Sequence, residues 1–163
     1  MAGWTDLEIS DASVEGIEEI LEVQRLAFTE EMKIYGFYDI PPLTETAEDV
    51  REALGELIML KAVRGGRIVG AVRARVKEGS CLLGRLVVRP DSWNEGIGRA
   101  LMEAVEARCG ETCHLELFTG SKSVKNIALY ESLGYRTFRS EDVGEGIQLV
   151  YMEKTTGAGR QTT

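Results

Sequence analysis

Long apolar runs are missing from this chain of 163 residues. No stretch approaches the roughly 18 consecutive apolar residues that a membrane-spanning helix needs. The N-terminus also lacks the basic and apolar pattern of a secretory signal. Three cysteines, Cys81, Cys109 and Cys113, cannot pair completely, which agrees with a reducing compartment. We therefore expect a cytoplasmic protein, and 44% hydrophobic residues are enough for one domain with a full core.

Basic charge is also scarce. Nineteen Lys and Arg residues stand against 27 Asp and Glu, a net charge of −8. A nucleic-acid partner is disfavoured, because phosphate binding needs a basic face. The acidic balance could steer a cationic substrate toward the protein, or it could serve solubility alone. A metal site is not expected either, because Cys109, Cys113 and His114 offer three ligands without a fourth.

Apolar periodicity and turn residues predict alternating helices and strands. A strand is expected at residues 4–10, followed by a helix from Val14 to Phe28. Thr46 to Asp49 has the pattern of a helix-starting capping box. Gly65-Gly66 is typical of a tight hairpin between the two strands that flank it. The later elements are strands at 80–88, 112–118, 135–138 and 147–152, and helices at 96–108 and 124–133.

A glycine-rich turn between residues 86 and 101 is the most informative segment. An apolar strand ends at Val88, and Gly96-x-Gly98 then opens an amphipathic helix. Glycines let the backbone approach a ligand, and the unpaired N–H groups of a helix N-terminus bind anions. A dinucleotide fingerprint would need a third glycine where Leu101 stands. A nucleotide-triphosphate loop would need Lys after Gly98, where Arg99 stands, so both nucleotide predictions fail.

Three motifs in combination carry a resemblance to a known family. The chain reads Leu-Val-Val-x-Pro at 86–90, Gly-Ile-Gly-Arg-Ala-Leu at 96–101 and Asn-Ile-Ala-Leu-Tyr-Glu-Ser-Leu-Gly-Tyr at 126–135. It resembles the GCN5-related N-acetyltransferase (GNAT) superfamily. The resemblance implies an α/β (α+β) fold with a mixed, mainly antiparallel central sheet of six to seven strands and about four flanking helices. We expect a single domain at 1–153 and a loose polar tail at 154–163.

The resemblance also implies where acetyl-CoA, the expected co-substrate, binds. Backbone N–H groups of the turn would hold the pyrophosphate, and the strand before it would pair with the pantetheine arm. Two side chains depart from the family pattern: Trp93 stands where Gln or Arg is usual, and Ser123 where Asn is usual. The carboxylate of Glu95 is tolerable only if it points outward. The predicted cofactor residues are Leu86, Val87, Val88, Trp93, Asn94, Glu95, Gly96, Ile97, Gly98, Arg99, Ser123 and Asn126.

The same resemblance implies a catalytic acid, and the strand pattern suggests a base. Tyr130 stands where the family often has a tyrosine that protonates the departing CoA thiolate, which suits a phenol protonated at neutral pH. Glu116 is the first candidate for the base that deprotonates the amine, and Glu78 is the second. Strand alternation places His114, Glu116 and Phe118 on one face.

The expected function is acyl transfer, most simply of acetyl, to a primary amine of a small molecule or peptide, by direct attack in a ternary complex. A non-catalytic acyl-CoA-binding sensor or interaction module is the alternative. Neither nucleic acid nor a membrane is an expected partner, and the family's frequent dimerisation makes a homodimer one expected assembly. Fold alone does not identify the acceptor.

Overall fold

A seven-stranded sheet with helices on both faces forms the molecule. The computed structural model describes residues 6–110 and 114–155. The strands are Glu8–Asp11 (β1), Ile58–Arg64 (β2), Arg67–Lys77 (β3), Ser80–Val88 (β4), His114–Gly120 (β5), Arg136–Asp142 (β6) and Gln148–Thr155 (β7). The helices are Ile17–Glu31 (α1), Pro41–Thr44 (α2), Ala47–Glu56 (α3), Ile97–Arg108 (α4) and Val124–Ser132 (α5). None of these helices is long and apolar enough to cross a membrane.

The strand order is β1-β2-β3-β4-β5-β7-β6, and β4–β5 is the parallel pair in a sheet whose other pairs are antiparallel. The predicted fold class is therefore confirmed. Among residues 6–110 and 114–155, the parallel pairing joins Ser80 to Leu82 of β4 with His114 to Glu116 of β5. Beyond it the two strands separate, and a gap opens between the second halves of β4 and β5.

An irregularity in β4 accompanies this separation. The register of β3 against β4 shifts between Ala71 and Arg73, which pair with Val87 and Gly84. Arg85 lies within the extra length with a φ of 51°. Such a bulge bends a strand and increases its local twist, so it turns the end of β4 away from β5.

Two apolar cores cover the two faces of the sheet. One contains Leu101 and Val105 of α4 against β2 to β5, and the other contains Ile20 and Leu21 of α1 with Val50 of α3. The apolar spacing that predicted these helices therefore identifies the sides that they bury. The sheet carries α4 on one face and α1 on the other, with the gap between β4 and β5 near the ends of both helices.

Local signals give most of the element boundaries. Thr46 and Asp49 form the predicted capping box at the start of α3, and Gly65 and Gly66 link β2 to β3 with positive φ angles. The short helix α2 was not predicted, although Pro41 and Pro42 at its first turn fit a helix start. The early strand is Glu8–Asp11, against a prediction of 4–10 of which residues 4 and 5 lie outside the described residues.

The C-terminal boundary and the cysteines need correction. Strand β7 runs through Lys154 and Thr155, two residues past the boundary predicted for the tail, and Lys154 donates to Glu106 of α4. Residues 156–163 of that tail lie outside the described residues. Cys81 of β4 and Cys109 at the end of α4 are joined as a disulfide. The odd cysteine count therefore no longer supports a reducing compartment.

Candidate functional site

A cavity of about 480 Å³ lies between the separated end of β4, the start of α4 and the start of α5, with the end of α1 as its fourth wall. Eleven of the twelve predicted cofactor residues line it, namely Leu86, Val87, Val88, Trp93, Asn94, Gly96, Ile97, Gly98, Arg99, Ser123 and Asn126. Two predicted segments about thirty residues apart in sequence thus face one space.

The glycine turn ends in an uncapped helix N-terminus. Asn94 and Gly96 have φ angles of 68° and 83°, and Gly96 precedes α4 without a side-chain cap. Left-handed residues in such a turn direct successive N–H groups into a concave nest, and the first N–H groups of α4 add to it. Glu95 does not line the cavity, because its carboxylate accepts from Arg64 Nη1 at 2.6 Å. Arg64 therefore offsets this charge.

Strand β4 presents an open backbone edge to the cavity. On one side its end pairs with β3, since Val87 lies opposite Ala71 and Arg89 N–H donates to Val69 at 2.8 Å. The backbone groups of neighbouring strand residues point in opposite directions, so those of Val88 face the gap. In the described part of the chain, β5 does not pair with this half of β4. The edge is available to an extended ligand, as in strand addition.

Trp93 occupies part of that edge. Its indole Nε1 donates to the carbonyl oxygen of Val88 at 2.7 Å, and 37% of the residue is exposed. The ring lines the cavity beside the nest. The departure at Trp93 therefore puts an aromatic side chain against the open edge, where the family pattern would have a flexible polar one.

Ser123 takes part in a hydrogen-bond chain across the end of the cavity. Its hydroxyl donates to Glu31 Oε2 at 2.8 Å and lies 2.9 Å from the hydroxyl of Tyr35. Tyr35 in turn accepts from the N–H of Lys122 at 3.0 Å. Tyr35 fits here because residue 120 is glycine: a Cβ on Gly120 would lie 2.0 Å from the Tyr35 oxygen.

Tyr130 lies one helical turn after Asn126 on α5, but it is buried and does not line the cavity. Its ring packs edge-on against Tyr135 with centroids 6.1 Å apart. Burial and the nearby carboxylate of Glu31 both raise the pKa of the Tyr130 phenol. The phenol stays protonated at neutral pH, as its predicted role requires.

The two predicted bases lie outside the cavity lining. Glu116 shares a face of β5 with His114 and Phe118, as expected, and lies opposite Leu82, four residues before the open edge begins. Glu78 is in the turn before β4, nine residues from Val87, which is roughly 25–30 Å along a strand. The role of Glu116 stays a prediction, while Glu78 lies at the wrong end of β4.

A carboxylate that the sequence did not single out as a base does line the cavity. Glu31 at the end of α1 is partly buried, and its pKa is raised by burial, against the opposing effect of hydrogen bonds from Ser123 and Asn126. Glu31 contacts Ser123, 92 positions later in the chain, so no local sequence pattern could predict that it lies at the cavity.

Metal binding finds no geometric support in the described ranges. Residues 6–110 and 114–155 contain no group of three or more His, Cys, Asp or Glu that could hold an ion. His114 Nε2 instead lies 2.9 Å from Glu153, and Cys113 lies outside the described residues.

Residues 13–156 match the model of a family described as an acetyltransferase (GNAT) domain. The chain belongs to this family. Among curated proteins, UPF0157 protein YqkA from Bacillus subtilis (strain 168) is 28% identical over 131 residues, which is 80% of this chain and 38% of that protein. The chain thus spans well under half of that relative.

Solved GNAT structures share the fold at low identity. PaiA N-acetyltransferase from Thermoplasma acidophilum, in complex with coenzyme A, superposes with a TM-score of 0.78 at 18% identity over 92% of this chain and 99% of that one. The ribosomal-protein-S18-alanine N-acetyltransferase from Escherichia coli gives 0.75 at 18% identity over 91% and 93%. A phosphinothricin acetyltransferase from Sinorhizobium meliloti, in complex with AcCoA, gives 0.78 at 17% identity over 97% and 92%.

Proposed function

We propose that this GNAT protein transfers an acetyl group from acetyl-CoA to a primary amine of a small molecule or peptide, by direct attack in a ternary complex. One observation carries the proposal: the open edge of β4 and the uncapped N-terminus of α4 face the same cavity. A thioester on a long amide-containing arm ending in a pyrophosphate needs both features together.

The pyrophosphate is assigned to the nest around Gly96. Backbone N–H groups of Gly98 and Arg99 would donate to it, and the positive end of the helix dipole favours the charge. The ion pair with Arg64 holds the Glu95 carboxylate outside the cavity, which supports this assignment, because a carboxylate pointing inward would repel phosphate. The Arg99 guanidinium donates to Ser132, so its contribution to binding here comes mainly from the backbone.

The pantetheine arm is assigned to Leu86, Val87 and Val88. Their side chains pack while their backbone edge stays open, so a strand-like ligand can add to the sheet. A free N–H at this edge would polarise the thioester carbonyl and stabilise the oxyanion that forms on attack. With the pyrophosphate at the glycine turn and the pantetheine arm along β4, the thioester would lie near the gap between β4 and β5.

Tyr130 is assigned to the leaving sulfur. Its protonated phenol can donate a hydrogen bond and then a proton to the departing thiolate. The raised pKa makes the Tyr130 phenol a weaker acid, but the same burial raises the pKa of the CoA thiol, so the difference that proton transfer must overcome stays smaller.

The cytoplasmic location and the homodimer expected from the sequence stay predictions.

Binding and turnover test the proposal in sequence. Calorimetry with acetyl-CoA is expected to give heat, and thiol release is expected with at least one amine among spermidine, tyramine, kanamycin and an alanine-terminated peptide. Tyr130→Phe should lower kcat at least tenfold with little change in acetyl-CoA affinity. Absence of binding would refute the cofactor assignment. Binding without thiol release from any amine would favour the acyl-CoA sensor, which the internal use of the Ser123 hydroxyl also fits.

A further inference from the structure

Glu31 is a carboxylate in a largely apolar stretch of the cavity wall. It comes from the last turn of α1, and Ala27 and Ile34 of the same segment line the cavity beside it. The open edge of β4, with Leu86 and Val88, lines the same cavity. Burial of an isolated carboxylate costs free energy. A carboxylate at this position therefore needs a partner for its charge, or it serves a function such as binding or proton transfer.

Hydrogen bonds fix the position of this carboxylate. Ser123 donates to Glu31 Oε2 at 2.8 Å, and the Asn126 amide is close enough to lower the pKa of the carboxylate as well. Tyr35 lies 2.9 Å from the Ser123 hydroxyl and holds that hydroxyl in place. The same carboxylate is close enough to Tyr130 to raise its pKa. Glu31 is thus close enough to interact electrostatically with the side chain that the proposed function assigns to the leaving sulfur.

The charge of Glu31 has no cationic partner among the described residues. Its neighbour Glu30 pairs with Lys33 at 2.8 Å, whereas Glu31 accepts only from neutral groups. The other charged side chains on the cavity wall are Glu30, Arg99 and Lys125. Burial raises the pKa of Glu31 above that of an exposed glutamate, which makes it a stronger base.

We propose that Glu31 is the group that receives the ammonium of the acceptor and takes its proton. The proposal rests on the proposed acyl transfer and names a residue for the step that the sequence assigned to Glu116. An acceptor that carries a cation in place of the missing partner would satisfy the carboxylate. The chemical class of acceptor is therefore a primary amine that is protonated in solution.

The protons balance as follows. The ammonium gives one proton to Glu31, and the neutral nitrogen attacks the thioester carbonyl. The C–N bond forms and the C–S bond breaks. Tyr130 gives its proton to the sulfur, so free thiol is the product, and the second proton, which leaves the nitrogen as the amide forms, restores the Tyr130 phenol. Glu31 then returns its proton to solvent after the products leave.

Glu31→Gln tests the assignment, because glutamine keeps the size of the side chain and the oxygen that accepts from Ser123. The probes are acetyl-CoA and the fastest amine of the panel named above. At pH 7 we expect kcat/KM for the amine to fall at least a hundredfold, with acetyl-CoA affinity within about threefold of the parent. The thermal midpoint should stay level or rise, because a buried charge is removed.

The pH dependence separates a base from a merely structural residue. Near pH 10 a large fraction of the amine is already neutral, so the deficit of Glu31→Gln should shrink below about tenfold. A deficit that is the same at every pH would overturn the assignment, as would full activity at pH 7. Glu31→Asp, which keeps a carboxylate, should retain more activity than Glu31→Gln, and equal activity of the two would also overturn it.

A matched control uses the same helix. Glu18→Gln changes an exposed glutamate near the start of α1 and should leave kcat/KM unchanged. Failure of the unaltered protein to release thiol with any amine would refute the proposed function, and the role of Glu31 with it. An active parent whose Glu31→Gln variant is equally active would refute only the role of Glu31.

Discussion

Arg73 holds both carboxylate oxygens of Glu45, with its Nη1 2.9 Å from Oε2 and its Nη2 2.8 Å from Oε1. Arg73 lies on β3 and Glu45 lies between α2 and α3, and both side chains are about nine-tenths buried. Gln24 of α1 donates to the same carboxylate at 2.8 Å, and Arg85 lies 3.5 Å from it. One carboxylate therefore ties two helical segments to the sheet beside the bulge of β4.

Glu45→Gln should destabilise the protein by about 3 kcal/mol at pH 6, because it leaves buried guanidinium groups without their counter-ion. Urea unfolding of the parent and the variant measures this difference. Asp91→Asn is the control, since Asp91 pairs with Arg67 on the exposed surface and should cost less than about 1 kcal/mol. Equal losses for the two variants would contradict a structural role for the buried pair.

The same pair predicts how stability depends on pH. Burial alone would raise the pKa of Glu45, but hydrogen bonds from Arg73 and Gln24 outweigh it and lower the pKa from 4.5 to about 2. This contribution to the free energy of unfolding is complete above pH 4.5 and is lost as the pH falls toward 2. The difference between the parent and Glu45→Gln should therefore shrink between pH 5 and pH 2. A constant difference over that range would exclude Glu45 as its source.

Gly120→Ala tests the contact that closes the end of the cavity. A Cβ at this position would lie 2.0 Å from the hydroxyl oxygen of Tyr35 and 2.6 Å from its ring, so Tyr35 must move. We expect a loss of about 2 kcal/mol in unfolding free energy, typical of overpacking. Gly84→Ala on β4 is the control, because nothing lies within 4 Å of its Cβ.

A double-mutant cycle identifies the cause of that loss. In a Tyr35→Ala background the steric conflict is gone, so Gly120→Ala should then cost less than about 0.5 kcal/mol. Urea denaturation of the four proteins gives the coupling energy. Additive costs would show that the glycine is needed for some reason other than Tyr35.

Trp93 offers an optical measurement of cofactor binding. The chain has two tryptophans, and the ring of Trp93 lies on the cavity wall with its indole N–H on Val88. Acetyl-CoA should change the fluorescence of the parent protein and of Trp4→Phe, because a ligand along β4 alters the surroundings of this ring. Trp93→Phe should lose the change while calorimetry still detects binding. A signal that survives in Trp93→Phe and disappears in Trp4→Phe would place the ligand elsewhere.

Local sequence was sufficient for most of the elements and for most of the residues that line the cavity. The diglycine link at Gly65 and Gly66, the capping box at Thr46 and the glycine turn at Gly96 each depend on residues within a few positions of one another. The spacing of apolar residues gave the buried faces for the same reason. The turn and the strand before it therefore face one cavity, as expected.

Contacts between segments that are distant in the sequence could not be predicted from local sequence patterns. The gap between β4 and β5 depends on a bulge at Arg85, a residue type that does not mark a positive φ. The base was sought on β5 because strand alternation is visible in the sequence, whereas Glu31 reaches the cavity through its packing against α5. Glu95, which looked unfavourable beside an anion site, is neutralised by Arg64 from another strand.

The Ser123→Ala variant tests whether the hydrogen bond from Ser123 influences the pKa of Glu31 and, through it, the pH dependence of turnover. The Ser123 hydroxyl donates to the ionised form of Glu31 and so lowers its pKa, against the larger effect of burial. Its removal should raise the pKa of Glu31 further, since a hydrogen bond to a charged group favours the charged form. The acidic limb of the kcat/KM profile should move to higher pH by the same amount. Ser140→Ala, an exposed serine on β6, should leave the limb in place, and an unmoved limb in Ser123→Ala would mean that another group controls it.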